Sequence, residues 1–373
     1  MDSPRRIALV HDWLTGMRGG EKVLEVLCEL YPQASLFTLL HNKGAMSGTI
    51  EKMEIRTSFI DRLPLKTERY RNYLPLFPRA LESFDFTPYD LILSSSHCVA
   101  KGAAPGPEAL HICYCHTPMR YVWEMYDEYF GKGRAGPATR AAMSYFAPRL
   151  RAWDVRTSGR VHHFLANSRN VAERIRRHYD RRADVLHAPV DTSLFKASDR
   201  DEGYYLIVSA LVPYKRVDLA IQVFNRIGER LLIVGKGPDR ARLSGYASKN
   251  IEFLGWQADE ELAKLYAGCR ALIFPGVEDF GIVPLEAMAS GKPVVAYGDG
   301  GALESVDGSS EHPTGVFFYE QTPDALTEAL QKLHALRFDP GSIRAHAERF
   351  DRSAFKRKLA LYIQEKLLLR RRS

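Results

Sequence analysis

The chain has 373 residues, of which 45% are hydrophobic and 26% charged, and its formal net charge is +7. This composition excludes a disordered or fibrous chain. The length favours two domains over one hydrophobic core. The basic excess suits polyanionic partners such as nucleic acid, anionic lipid or phosphorylated small molecules, without choosing among them.

The five cysteines are scattered along the chain, which argues against a disulfide framework and for a reducing compartment. We expect Cys113 and Cys115 to lie in one strand, on opposite faces. The first residues lack the apolar run and cleavage site of a signal peptide, and no stretch approaches the roughly 20 apolar residues that span a bilayer. These features predict a cytoplasmic protein, attached at most peripherally to a membrane.

In the first half, short β-branched runs alternate with helical patterns, which predicts a parallel sheet covered by helices on both faces. The predicted strands are residues 7–10, 35–39, 91–95, 111–114, 163–166 and 184–187. The predicted helices include residues 19–30, 138–158 and 168–179.

A polar segment at residues 196–203 interrupts the alternation and is predicted to be an interdomain linker. Beyond it, strands are predicted at residues 204–208, 231–234, 251–254, 271–274, 293–296 and 315–318, with a helix from Val217. The fold prediction is α/β, with two Rossmann-like doubly wound domains at residues 1–195 and 204–350. A final helix within residues 351–373 is expected to pack back on the first domain.

The strongest local pattern lies in residues 276–296, where a buried strand runs into a glycine-containing loop and a helix beginning near Ile282. Glu278 lies in the loop and Glu286 in the first turns of the helix. Free N–H groups at a helix start form an anion site, which the helix dipole strengthens. Either glutamate alone would be an ordinary solvated charge, whereas the whole combination indicates a binding site.

Glu278 and Glu286, separated by seven residues in the context FGIVPLEAMASGKPVVA, resemble the E-x7-E signature of retaining glycosyltransferase family 4. That family comprises group 1 glycosyltransferases with the GT-B fold, whose two domains face each other across a donor cleft. The resemblance implies that Glu278 contacts the donor sugar and that Glu286 holds the ribose hydroxyls. It also implies that the loop backbone approaches the sugar and diphosphate; the loop residues are Phe280, Gly281, Ile282 and Val283.

Two further segments resemble donor-binding loops of this family. A glycine turn containing Gly19 and Gly20 follows the first strand, and the absence of side chains there suits a pyrophosphate. Lys215 and Arg216 open a helix after a strand, where cations could neutralise a diphosphate. The family usually has an arginine at the position of Ala210, so Arg216 is a candidate replacement. Ordinary helix packing and solvated charge are the alternatives.

His116, in the segment CYCHTPMRY, matches a family histidine that reaches the donor sugar, although an isolated histidine at a strand end more often packs or caps. Arg120 and Tyr121 are candidate acceptor contacts. Gly235 and Lys236, together with Leu254, lie in turns that border the nucleotide base in the family.

The segments HDWLTGMRGGEKVLE, SSSHCVAKG, CYCHTPMRY and VPYKR resemble the WbaZ-like branch of bacterial mannosyltransferases. The resemblance implies retaining transfer of mannose from GDP-mannose to a glycan or lipid-linked glycan in surface polysaccharide assembly. It implies no metal and no bound cofactor, the nucleotide sugar being a co-substrate.

Alternatives remain open: another nucleotide-sugar donor such as UDP-glucose, a sugar-nucleotide epimerase, a glycan phosphorylase, a catalytically silent relative, or a polyanion-binding protein. No nucleic-acid recognition module is present, so nucleic acid is not expected as a partner. Basic and aromatic residues interleave between Arg56 and Arg79, and the C-terminal KLLLRRRS is basic. These features suit either an anionic membrane surface or an ordinary solvated face.

Overall fold

The computed structural model describes residues 6–308 and 311–370 of the chain. The fold divides into two compact units. The first comprises the chain up to Ala188 together with the segment from Phe355 onward, and the second is Pro189–Ala354.

Within the described residues, the first unit contains seven strands that form one parallel sheet. They are β1 (Ile7–His11), β2 (Ser35–Thr38), β3 (Glu54–Thr57), β4 (Leu91–Ser96), β5 (Leu110–Cys115), β6 (His163–Ala166) and β7 (Ala183–Val185). Their spatial order is β3-β2-β1-β4-β5-β6-β7. The helices of this part of the chain are α1 (Gly19–Leu30), α2 (Gly48–Glu51), α3 (Lys66–Arg69), α4 (Phe77–Glu82), α5 (Tyr126–Phe130), α6 (Pro137–Ser158) and α7 (Arg169–Tyr179).

The central strands are buried on both faces, which is why they appear in the sequence as continuous apolar runs. In β1, Ala8 and Val10 enter one apolar cluster, whereas Ile7 and Leu9 enter the cluster on the opposite face. Helices therefore cover both sides of the sheet.

The prediction that Cys113 and Cys115 occupy opposite faces of a strand was wrong. Both side chains enter the same buried cluster, which also contains Phe164 and Tyr179. Side chains two residues apart on a strand point to the same face, since the strand repeat is two residues.

The second unit repeats the architecture with a parallel sheet of six strands among its described residues. They are β8 (Tyr204–Val208), β9 (Arg230–Val234), β10 (Ile251–Gly255), β11 (Ala271–Phe274), β12 (Val294–Tyr297) and β13 (Gly315–Phe318). The spatial order is β10-β9-β8-β11-β12-β13. The described helices are α8 (Val217–Ile227), α9 (Arg240–Ser244), α10 (Asp259–Gly268), α11 (Ile282–Ala289), α12 (Ala302–Ser305), α13 (Pro323–Ala335) and α14 (Pro340–Glu348).

A last helix, α15 (Arg352–Arg370), carries the chain out of the second unit and into the first. Phe355, Leu359 and Ile363 recur every four residues along it and are buried in the same cluster as Leu9 of β1. The apolar stripe of this helix therefore completes one face of the first sheet.

Both sheets have the strand order of a doubly wound α/β fold, so the predicted fold class is confirmed. In such a sheet the chain reverses its direction of winding beside the first strand. Ligands bind at the carboxyl ends of the strands at this switch point. The switch points lie between β1 and β4 in the first unit and between β8 and β11 in the second.

The boundary between the units differs from the predicted linker at residues 196–203. The second unit already begins at Pro189, because Val190 pairs with the backbone of Phe350 and Arg352. The polar segment itself packs on the second unit. The Ser198 N–H donates to the carbonyl of Ser290, and Asp201 forms an ion pair with Arg270 at 2.8 Å.

Across residues 6–308 and 311–370, no helix combines the length and apolar character needed to cross a membrane.

Candidate active site

Three polar side chains meet at the switch point of the first sheet. His11 ends β1, Ser95 lies near the end of β4, and His116 directly follows β5. The Ser95 hydroxyl lies 3.1 Å from Nδ1 of His11 and 2.8 Å from Nε2 of His116. Because adjacent parallel strands end at the same sheet edge, residues distant in sequence form one hydrogen-bonded group.

The predicted glycine turn lies against this group. A Cβ atom at Gly20 would lie 3.6 Å from Nε2 of His116 and 3.7 Å from Cε1 of His11. Glu21, the next residue of α1, directs Oε1 to 3.6 Å from Nε2 of His11, while its Oε2 accepts the Arg18 backbone N–H at 3.1 Å. The structure thus brings Gly20 and His116 together.

Burial controls the protonation of this site. It lowers the pKa of His116 well below the ordinary value, and the neighbouring His97 and His11 act in the same direction. Burial, with a contribution from His11, lowers the pKa of His97 to about 3. Both imidazoles are therefore neutral near pH 7, and His116 can act as a hydrogen-bonding group rather than as a cation.

Two buried polar residues fix the backbone around the histidines. The Asp12 carboxylate accepts four backbone N–H groups in the turn after β4, from His97 to Ala100, at 2.6–2.9 Å. The Asn167 side-chain amide donates to the carbonyl of His116 at 3.1 Å, while Ser168 caps α7 by accepting the N–H of Val171. His116 is thus held through both its ring and its backbone.

The two candidate acceptor residues differ in exposure. Arg120 is half-buried, whereas Tyr121 is only 8% exposed and packs against Tyr129 with the rings tilted and their centroids 4.8 Å apart. Burial raises the pKa of the Tyr121 hydroxyl. Tyr121 therefore belongs to the aromatic core of the first unit.

In the second unit, Lys215 and Glu278 form an ion pair at the switch point between β8 and β11. Close backbone packing makes this pair possible. A Cβ atom at Gly276 would approach within 2.7 Å of the Lys215 Cα and 2.9 Å of the Tyr214 carbonyl oxygen. Only glycine allows the end of β11 to come this near the Lys215 turn.

The loop between Glu278 and α11 is held by a second glycine contact. The Gly301 N–H donates to the Glu278 carbonyl at 2.9 Å, and a Cβ at Gly301 would lie only 2.1 Å from the Cα of Phe280. Phe280 is itself buried, with its ring centroid 5.8 Å from that of Phe350. Gly281 adopts φ = +89° and starts α11, so the N–H groups of Ile282 and Val283 lie in the first helical turn.

Glu286 is 6% exposed and lies on α11, one turn after the loop. Its Oε2 accepts a hydrogen bond from the Tyr266 hydroxyl at 2.9 Å, and Tyr266 is fully buried on α10. The second carboxylate of the signature is therefore positioned by a phenol that sequence reasoning did not identify.

Arg216 has a role within its own turn. It adopts φ = +51° before α8, and its guanidinium donates to Gln321 Oε1 at 2.8 Å and lies 3.4 Å from Asp218. Gln321 in turn donates to the carbonyl of Pro275 at 3.0 Å. Arg216 thus links the Lys215 turn to the end of β11.

Close backbone contacts explain the glycines in the turn after β9. A Cβ at Gly235 would lie 1.8 Å from the Ser209 carbonyl oxygen, and one at Gly237 would lie 2.2 Å from that of Leu211. The neighbouring Lys236 is exposed, and Leu254 on β10 is half-buried. These residues border the same sheet edge as Lys215.

The sequence did not identify His11, Ser95, Glu21 or Tyr266 as site residues. These are buried polar residues that support the predicted site residues from the protein interior. The only sequence signal for the first two was a polar residue at the end of each apolar strand run. Among the described residues, no three His, Cys, Asp or Glu side chains come together as a metal-binding group.

Comparisons with known proteins agree with this architecture. The family model described as Glycosyltransferase Family 4 matches residues 26–194, and that described as Glycosyl transferases group 1 matches residues 192–357. The structure of Anabaena Alr3699/HepE in complex with UDP-glucose superposes with a TM-score of 0.69 at 17% identity, covering 96% of this chain and 99% of that one.

Two curated relatives match in part. A GDP-mannose-dependent alpha-mannosyltransferase of Mycobacterium tuberculosis is 35% identical over 34% of this chain and 34% of its own length. The O-antigen chain mannosyltransferase RfbU of Salmonella typhimurium is 26% identical over 45% of this chain and 54% of its own. The chain thus matches about a third to a half of the length of these relatives.

The two Rossmann-like parallel-sheet units and the likeness to solved glycosyltransferase structures identify the fold as GT-B. The chain belongs to glycosyltransferase family 4, the group 1 glycosyl transferases.

Proposed function

We propose that this protein is a retaining hexosyltransferase that moves mannose from GDP-mannose to a hydroxyl of a glycan or lipid-linked glycan. The observation that carries the proposal is the Lys215–Glu278 pair at the carboxyl edge of the second sheet, beside the start of α11. A cation, a carboxylate and free backbone N–H groups together suit a sugar diphosphate. The partial match to a GDP-mannose-dependent relative favours this donor.

In the proposed reaction, the bond between the anomeric carbon and the β-phosphate oxygen breaks. The acceptor oxygen bonds to the same face of that carbon, and its proton passes to the departing phosphate. Negative charge grows on the phosphate, so fixed positive groups accelerate the step. Lys215 and the N–H groups of Ile282 and Val283 supply them in the second unit. No metal ion is required by this scheme.

The carboxylates act as acceptors for hydroxyl groups. Glu278 accepts from the donor sugar, and Glu286, held by Tyr266, accepts from the ribose. His116 accepts a hydrogen bond from the sugar. The exposed Lys236 and the turn at Leu254 border the base.

A thermal-shift panel of UDP-, GDP-, ADP- and TDP-sugars tests the donor. We expect selective stabilisation by GDP-mannose. Selective stabilisation by UDP-glucose would contradict the assignment of GDP-mannose as the donor, but it would not affect the family assignment. A product assay with and without a glycan acceptor separates transfer from epimerase-type release of free sugar, and the anomeric configuration of the product tests retention.

Two variants test the site. Glu286→Ala should weaken nucleotide binding, and Glu278→Ala should mainly slow transfer, because one carboxylate contacts the ribose and the other the sugar. Normal turnover by both variants contradicts the site assignment. Nucleic-acid binding that falls steeply with salt and needs no sugar nucleotide would favour the polyanion-binding alternative.

Peripheral membrane contact is a further part of the proposal, since a lipid-linked acceptor would lie at a membrane surface. Phe59, Leu65 and Leu76 are 36%, 54% and 41% exposed. The same stretch of chain exposes basic side chains: Arg62, Arg69, Arg71 and Arg79. Apolar groups beside cations suit anionic lipid. Leu65→Asp should reduce sedimentation with anionic vesicles, whereas Leu336→Asp, at another exposed leucine, should not.

A further inference from the structure

A line of polar side chains in contact with one another runs from a buried carboxylate to His116. Glu21 Oε1 lies 3.6 Å from His11 Nε2, His11 Nδ1 lies 3.1 Å from Ser95 Oγ, and Ser95 Oγ lies 2.8 Å from His116 Nε2. Glu21, His11 and Ser95 are 3%, 1% and 0% exposed, whereas His116 is half-buried. The line therefore begins in the protein interior and ends at its one partly exposed member.

For neutral histidines, the charge of Glu21 and the single hydroxyl proton of Ser95 together favour one arrangement of protons along this line. The ionised Glu21 carboxylate carries no proton, and its negative charge favours the proton of a neutral His11 on the nitrogen that faces it at 3.6 Å. His11 Nδ1 is then bare and accepts the single proton of the Ser95 hydroxyl. The Ser95 oxygen in turn accepts from His116 Nε2, which leaves His116 Nδ1 without a proton.

The charge states that this arrangement requires of Glu21 and His116 agree with their surroundings. Burial disfavours the Glu21 anion, but the contact with His11 outweighs it and the pKa of Glu21 lies below its usual value. Burial lowers the pKa of His116 well below the ordinary value. The other groups facing the two rings are His97 and Asp12, which contact each other at 3.2 Å, together with Arg18 and Arg120.

We propose that Glu21, His11 and Ser95 are positioning residues that hold the proton of His116 on Nε2 and keep Nδ1 as a hydrogen-bond acceptor. The inference rests on the proposed function, in which His116 accepts a hydrogen bond from the donor sugar. A histidine with the opposite tautomer would present an N–H donor at Nδ1, and the tautomer of a functional imidazole is set by the bond that its other nitrogen makes.

Glu21→Gln tests which groups donate and which accept along the line, because the amide N–H can face His11 Nε2 where the wild-type carboxylate cannot donate. His11 would then carry its proton on Nδ1, Ser95 would donate to His116 Nε2, and the His116 proton would move to Nδ1. Nitrogen-15 spectra of the imidazoles in the full chain, without donor, distinguish the two tautomers. We expect the Nε2–H form in the wild type and the Nδ1–H form in Glu21→Gln. An Nδ1–H wild type, or no change in the variant, overturns the proposal.

Ser95→Ala provides a second test that does not alter a buried charge, and Ser94→Ala is its matched control. Ser94 also lies buried on β4 and its hydroxyl is 2.8 Å from His111 Nε2, outside the line. Ser95→Ala should leave His116 as a mixture of tautomers, whereas Ser94→Ala should keep the wild-type form. Identical His116 spectra in both variants would contradict the role of Ser95.

Measuring kcat beside the tautomer of His116 distinguishes a failure of this inference from a failure of the proposed function. Glu21→Gln should lower kcat by roughly tenfold to a hundredfold, the usual cost of removing the partner of a functional histidine, with little change in donor affinity. Ser94→Ala should turn over normally. A tautomer switch without loss of transfer leaves the positioning line intact and refutes the role given to His116. Loss of transfer without a tautomer switch overturns the line.

Discussion

At the residue scale, the candidate site depends on buried side chains that orient the groups offered to a ligand. Tyr266 holds Glu286, as Ser95 holds His116. Glu286 and His116 each belong to a recognisable sequence pattern, whereas the residue that holds each of them lies outside that pattern. The partner is found only through the contact, because a buried tyrosine or serine has no distinctive sequence context.

Tyr266→Phe should weaken nucleotide binding by about fivefold, because removing one buried hydrogen bond costs about 1 kcal/mol and frees Glu286 to reorient. Calorimetric titration with the nucleoside diphosphate of the preferred donor measures this effect. Tyr204→Phe is the control, since it loses a buried hydroxyl that donates to the Leu265 carbonyl at 2.8 Å, away from Glu286. Equal affinities of Tyr266→Phe and the wild type would contradict the orienting role.

Buried neutral histidines predict acid lability. Burial lowers the pKa of both His97 and His111 to about 3, whereas an unfolded histidine titrates near 6.5. The unfolded chain therefore binds more protons between these values. The free energy of unfolding should be greatest above about pH 6.5 and should fall as the pH drops toward 3, by at most about 1.4 kcal/mol per pH unit for each histidine.

Denaturant unfolding at a series of pH values measures this slope. His111→Gln should make the dependence shallower, while the same substitution at the exposed His312 serves as the control. A His111→Gln slope equal to that of the wild type would show that protonation of His111 does not limit stability in acid.

At the element scale, the loops of the second unit fit together only through glycines. Gly301→Ala should displace the Glu278 loop, because the added methyl would meet Phe280 at 2.1 Å. We expect a loss of about 1–3 kcal/mol in unfolding free energy, together with weaker donor binding. Thermal unfolding and titration with donor measure the two effects. Gly245→Ala, where the nearest atom is 3.4 Å away, should leave donor affinity unchanged.

The elements themselves were predictable where burial was uniform. Strands such as β1 and β11 are continuous apolar runs, so their positions in the sequence matched the structure closely. The edge strand β3 was not predicted, because it is exposed and carries Glu54 and Arg56 on its surface. Its apolar signal is too weak to separate it from a loop.

At the candidate site, sequence patterns identified individual residues but not the contacts between their side chains. Lys215 and Glu278 were both selected, yet their ion pair depends on the approach of two loops around Gly276, which spacing cannot reveal. The Asp12 turn and the Glu21 contact likewise depend on strand order. Long-range contacts of this kind follow from topology rather than from any local pattern.

At the scale of the whole molecule, the two units share a strand order but differ in how the chain builds them. The second is one continuous segment, whereas the first needs α15 to cover its sheet. The return of this helix was expected from the sequence, whereas the second unit begins at Pro189, before the predicted linker at residues 196–203. The Val190 pairing that places Pro189 in the second unit joins residues more than 150 positions apart and leaves no local trace.

Leu359→Ala should lower the free energy of unfolding of the first unit by about 2–5 kcal/mol, since Leu359 is 2% exposed in its core. Leu361→Ala is the matched control on the same helix, because Leu361 is 66% exposed and should change stability by no more than about 0.5 kcal/mol. Chemical denaturation measures both. Equal stabilities of the two variants would show that α15 contributes little to the first core.

The return of α15 also constrains biosynthesis. Phe355, Leu359 and Ile363 leave the ribosome after every residue of the second unit has been made. Until then, one apolar face of the first unit's sheet is covered incompletely, while the second unit can fold as soon as its own segment has been made. The first unit should therefore complete its folding after the second, although its strands are synthesised first. During translation it should remain accessible to chaperones and proteases for longer.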